Sequence, residues 1–134
     1  MSIHYTDEEL TDILQRALDA LGSGRYDHVY RRPSEPFHMA RGLTRLNACW
    51  RDGDDLDEDD YWLIIIDCLE AALLAPLKAY KCPEEPICSH PEALDLEMFA
   101  FVIELPDFTR AIYTKFCLKE LSDGTWYISI GCHT

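Results

Sequence analysis

Residues 109–134 read TRAIYTKFCLKELSDGTWYISIGCHT, and the rest of the chain is organised around them. Ile112, Thr114, Phe116 and Leu118 alternate with Tyr113, Lys115, Cys117 and Lys119, while Trp126, Ile128, Ile130 and Cys132 alternate with Tyr127, Ser129, Gly131 and His133. A period of two over both runs predicts two half-buried strands. Between them, Ser122-Asp123-Gly124 suits a three-residue loop, a type I turn whose glycine takes the left-handed position. That odd loop length sets the register. Phe116 and Ile130 then share a face with Ile112 and Trp126, Tyr113 faces His133, and Lys115 lies beside Gly131. A two-residue Asp-Gly loop would slip the pairing by one and put the apolar rows on opposite faces. The hairpin therefore has one apolar face and one face that carries chemistry.

The apolar face needs a cover, and the chain is long enough to supply one. At 134 residues and 48% hydrophobic content it has material for a single α+β domain with its own core. Thr6-Asp7-Glu8-Glu9 has the capping-box form, and Leu10, Ile13, Leu14, Ala17, Leu18 and Leu21 follow at helical spacing, with Gly22 where a left-handed cap is wanted. Residues 25–32 suit a short strand stopped by Pro33 and Pro36. A second, broken helical pattern covers 37–50, with Gly42 weakening its middle. Asp57 or Asp59 is placed to cap a third helix through 61–74, ended by Pro76. Leu63, Ile64, Ile65, Ile66, Leu69, Leu73 and Leu74 make that helix apolar on most sides, so it is expected to be the central core helix against the sheet. Residues 76–90 read as loop. EMFAFVIEL, residues 97–105, is a strand apolar on both faces, expected to be central. The expected fold is two or three helices packed on one face of an antiparallel sheet whose last three strands are 97–105, 110–120 and 125–132. Trp126, Ile128, Ile130, Phe116 and Ile112 should be buried with Ile65, Ile66 and Leu69.

The net charge of −13 is unevenly spread. Residues 1–50 carry −1, 51–60 carry −6, 61–109 carry −7 and 110–134 carry +1, so the hairpin is the one stretch that is not negative. Such a chain repels nucleic acid at long range and suits a basic protein partner, and any action on RNA has to be local. Within the acidic run, Asp52, Asp54 and Glu58 only loosely follow a calcium loop, and the glutamate at its twelfth position is missing. A solvated loop feeding a helix N-terminus accounts for it better.

The N-terminus is acidic and the longest apolar run, 61–66, is far too short to cross a bilayer, so a cytoplasmic protein is expected. Cysteines at 49, 68, 82, 88, 117 and 132 then read as reduced thiols. Cys82, Cys88 and His90 invite a zinc reading with Cys132 or His133 as fourth ligand, but structural zinc sites use tighter pairs, and no metal or other cofactor is expected. His38 and the Arg31-Arg32 pair read as solvated side chains.

The order of segments resembles the MqsR-like toxins of bacterial toxin–antitoxin systems, ribonucleases of the barnase, EndoU, colicin and RelE fold group. The resemblance spans residues 43–134: a helix entered from an Asp-rich turn (DLDEDDYWLIIIDCLEAALL), a Pro-rich loop (YKCPEEPICSHPEA), the strand EMFAFVIEL, a YIK-like Tyr113-Thr114-Lys115, and an ISFH-like ending, Ile128 to His133. It implies Lys115 as the cation on the scissile phosphate, Tyr113 beside it, His133 as acid or base, and a small antitoxin as partner. The residues lead to the same face. Metal-free RNA cleavage needs the 2′-hydroxyl deprotonated, the leaving oxygen protonated and the phosphorane charge balanced, and histidine and lysine supply those functions. Arg110 and Ser129 adjoin that face as candidate substrate-binding residues. Two other classes stay open: an acidic binding protein that occupies a basic surface in place of nucleic acid, as phage inhibitors or immunity proteins do, and a metal-stabilised regulatory domain.

Overall fold

The computed structural model describes residues 5–23, 26–27, 39–53, 55–82, 96–120 and 126–134; residues 23, 26–27, 39–41, 118–120, 126–131 and 133 are described by backbone alone. The element order is α1 (Asp7–Ser23), β1 (Tyr26–Asp27), α2 (Met39–Cys49), α3 (Glu58–Leu74), α4 (Pro76–Ala79), β2 (Phe99–Ile103), β3 (Ile112–Glu120) and β4 (Trp126–His133). The four strands form one sheet in the order β1-β4-β3-β2. β2, β3 and β4 are antiparallel, and β1 adds a short parallel edge to β4, Tyr26 beside Trp126 and Asp27 beside Tyr127. The expected strand at 25–32 is seen in these two residues, and its remainder lies outside the described residues.

The hairpin register is the one that a three-residue loop requires: Tyr113 pairs with His133, Lys115 with Gly131, Phe116 with Ile130 and Glu120 with Trp126. Period two then sorts the sheet. Ile112, Thr114, Phe116 and Cys132 are buried on one face together with Phe101 and Ile103 of β2. Against that face lie Leu10, Leu14 and Ala17 of α1, Leu46 and Cys49 of α2, and Tyr61, Ile64, Ile65, Cys68, Leu69 and Ala72 of α3. Ile66, expected in the core, is half-buried; Cys68 and Ala72 take the inward positions, because α3 turns 64, 65, 68, 69 and 72 to the sheet and leaves Leu63 and Leu74 exposed. The side chains of Trp126, Ile128 and Ile130 lie outside the described residues.

Local chemistry explains the helix starts. Thr6 and Glu9 exchange the two capping-box bonds, the Glu9 amide to the Thr6 hydroxyl at 3.1 Å and the Thr6 amide to Glu9 Oε1 at 3.0 Å. Asp57 and Asp60 do the same for α3, at 2.9 and 3.0 Å. Gly22 does not cap α1 from outside; it lies in the last helical turn, and Gly53 is the glycine of positive φ among the described residues. Pro76 ends α3 but opens the one-turn α4, where a proline at the first position loses no hydrogen bond.

One difference from the sequence reading matters for the site. β2 is at the edge of the four-stranded sheet, not its centre, and its outer side is covered. The chain after α4 runs along its outer side, where Tyr80 bridges Phe101 and the Lys81 amide donates to the Ala100 carbonyl at 2.9 Å. Tyr5, whose hydroxyl bonds the Glu97 carboxylate, packs edge-on against Tyr80 and tilted on Phe99, pinning the chain before α1 to the same edge. Burial there pushes the Tyr80 phenol up to about 12. At the other end, α2 seats on β4 through Gly42, and Tyr61 of α3 accepts a hydrogen bond from the Cys132 amide at 3.0 Å. Burial holds the Tyr61 phenol well above its ordinary pKa. Tyr61→Phe removes the acceptor of a buried N–H and should cost about 1–3 kcal/mol in chemical denaturation. An unchanged midpoint would mean that the amide has another partner.

Thr114 is the buried polar side chain among the described residues, its hydroxyl without a hydrogen-bond partner. The Cys68 thiol lies against it short of hydrogen-bond geometry, and burial pushes that thiol up to about 11. The described cysteines, Cys49, Cys68, Cys82, Cys117 and Cys132, form no disulfide with one another. No described helix is long and apolar enough to cross a membrane.

Candidate functional site

On the sheet face turned away from the helices, the register builds two adjacent rows. One crosses the sheet through Lys81, Ala100, Lys115 and Gly131; the next runs through Val102, Tyr113 and His133. Lys81 and Lys115 therefore stand on either side of Ala100, two strand spacings apart, roughly 10 Å at the backbone. Their small neighbours matter. Ala100 and Gly131 flank Lys115, so neither cross-strand partner carries a bulky side chain beside the lysine stem.

The rows are tied together by Lys81, whose ammonium donates to the Tyr113 hydroxyl at 2.8 Å. The same nitrogen is 4.8 Å from the centre of the Tyr113 ring. A nitrogen bonded to the phenol oxygen sits near that distance in any case, so this is one hydrogen bond and not an added cation–π contact. Tyr113 and Lys115 are half-buried and Lys81 is exposed. The polar face closes toward the far end of β3, where Cys117, buried, donates its thiol to the Leu96 carbonyl at 3.8 Å.

Of the expected residues, the fold brings Tyr113 and Lys115 onto one face and sets the backbone of His133 directly opposite Tyr113 and that of Ser129 opposite Cys117. The side chains of His133 and Ser129 lie outside the described residues. Arg110 falls before β3, in the connection from β2, and lines a cleft of about 480 Å³ with Arg51 and Glu104. Lys81 was missed because 76–90 reads as loop; the signal available was Tyr80-Lys81, a single apolar-polar alternation beside a helix end, too short to mark a strand. Arg51 was missed because it opens the acidic run and was read with it.

The arrangement offers two ammonium groups and a phenol on an otherwise acidic protein, with a histidine position across the strand. That set can hold an anionic group and balance charge that develops on it. Cys82 is half-buried beside Lys81, while Cys88 and His90 lie outside the described residues, and among the described residues no three His, Cys, Asp or Glu side chains converge as a metal site. No protein-family model, no curated protein and no solved structure matches the chain.

Proposed function

We propose that the chain is a metal-independent endoribonuclease of toxin type, acting in the cytoplasm and held in check by a small protein partner. The observation that carries this reading is the pair of rows in which Lys81 and Lys115 stand in one and Tyr113, bonded to Lys81 and paired with the His133 backbone, in the next. In this reading Lys115 balances the charge that grows on the phosphorane. Lys81 orients Tyr113 toward the same group, and His133 exchanges the proton of the 2′-hydroxyl or of the leaving oxygen.

Cleavage of a structured RNA in the presence of a chelator tests it. Lys115→Ala and His133→Ala should each lower the rate by about 100-fold or more, the usual effect of removing one group that acts on the transition state. Melting temperature should hardly move in the Lys115 variant, since Lys115 is only half-buried and lies outside the core cluster. Parent-like cleavage in both variants would end this reading.

A specific feature favours the second reading, an acidic protein that occupies a basic surface. Leu63, Asp67, Glu70 and Leu74 fall on one stripe of α3, all exposed, with Leu63 59% and Leu74 89% accessible, and Leu77 of the short α4 that follows is 58% accessible. Exposed leucines separated by carboxylates complement a partner helix that alternates apolar and basic residues. Asp67→Lys combined with Glu70→Lys should abolish capture of such a partner while leaving melting temperature nearly unchanged; capture that survives would place the partner elsewhere.

A further inference from the structure

The cleft beside Arg110 has a construction that the two rows do not use. Cations are scarce in this chain, 12 against 25 carboxylates, yet Arg51 and Arg110 both line this cleft. Neither makes an ion pair among the described residues, although Glu104 lines the same cleft and Asp107 lies in the same connection. Arg51 is also fixed in place. Its amide donates to the Asp107 carbonyl at 3.0 Å, its Nε to the Pro106 carbonyl at 2.8 Å, and its neighbour Trp50 bridges Phe108, whose ring lies 5.0 Å from the indole. The Thr109 amide bonds the Cys49 carbonyl at 2.9 Å, closing the same seam. Nε takes one of the five guanidinium donors, which leaves the four on the terminal nitrogens without a carboxylate among the described residues. A guanidinium ordered in advance loses little freedom when an oxyanion arrives.

We propose that the Arg51–Arg110 cleft is a phosphate-binding subsite, separate from the lysine rows, that receives a neighbouring backbone phosphate of an RNA chain. The connection it is built from leads directly into β3, the strand that carries Tyr113 and Lys115. Its phosphate chemistry stands by itself; its assignment to RNA rests on the ribonuclease reading.

The test uses the full chain and the side-chain Nε–Hε NMR signals of Arg51 and Arg110. Inorganic phosphate should shift both signals saturably, and Arg110→Gln, which leaves the Arg51 anchor intact, should weaken that binding by about tenfold or more, the size of a lost charge-assisted hydrogen bond. Arg51→Gln should do the same; because it also cuts the tie to Pro106, the Arg110 variant guards against a mere loop change. An uncleavable single-stranded oligodeoxynucleotide should shift the same two signals, and with cleavable RNA the Arg110 variant should raise KM with kcat within about twofold. Phosphate shifts without oligonucleotide shifts would overturn the RNA assignment in favour of a free phosphorylated compound. Absence of any phosphate shift in the parent protein would overturn the subsite. A parent protein that binds phosphate here but cleaves no RNA would separate the failure of the ribonuclease reading from that of the cleft.

Discussion

Replacing Phe116 with alanine is expected to lower stability by about 3–5 kcal/mol, the usual cost of deleting a buried aromatic ring together with the cavity it leaves. Phe116 is fully buried on β3, with strands on both sides. Its ring stacks on Phe101 at 6.1 Å and 10° and tilts against Phe99 at 5.6 Å, and it belongs to the same cluster as Ile65 and Leu69 of α3. With cover on both sides, neighbouring side chains have little room to collapse into the space. A domain of this size holds about 5–15 kcal/mol in total, so the variant should be marginal at best. Equilibrium denaturation with an unchanged slope measures the loss. A loss under about 1 kcal/mol would mean that Phe116 faces solvent, as a hairpin slipped by one residue would place it.

That register was legible because one feature decided it. Ser122-Asp123-Gly124 has a length and a chemistry that leave a single pairing in which both strands turn their apolar residues the same way. The cap at Thr6 was legible for a similar reason, and that of α3 was narrowed to Asp57 or Asp59, since a side chain three residues from its partner amide is a purely local matter.

Where the sequence reading missed, the missing information was non-local. Apolarity on both faces of 99–103 reads as a central strand, yet the same pattern serves an edge strand that Tyr80 and Lys81 cover from the side. Nothing in residues 97–105 announces that cover. The candidate site divides the same way: Tyr113 and Lys115 follow from period two, but Lys81 reaches them only because its segment docks on β2, and Arg51 reaches Arg110 only because α2 ends against the connection that precedes β3.

Gly42 makes the largest such case, and it supports a prediction whose sign depends on the fold. From sequence it is a weak point in a helix, so Gly42→Ala should gain about 1 kcal/mol of helix propensity. In the structure a Cβ there would lie 2.4 Å from the Cys132 carbonyl oxygen and 2.9 Å from Cε1 of Tyr61. The first neighbour is backbone in a paired strand and cannot rotate away. The second is the ring whose hydroxyl holds the Cys132 amide, so moving it strains a buried hydrogen bond. Forcing a methyl group into such a contact costs about 1–3 kcal/mol, occasionally more, and the close approach to backbone puts this site at the upper end. Gly42→Ala should therefore destabilise the protein despite its better propensity. Gly22 provides the internal control: it is exposed in the last turn of α1 with nothing within 4 Å of a built Cβ, so Gly22→Ala should stabilise by about 0.5–1 kcal/mol. Opposite shifts in the denaturation midpoints of the two variants are the expected result. Equal gains at both positions would mean that α2 does not rest on β4, and the seating of the helices at that end of the sheet would have to be redrawn.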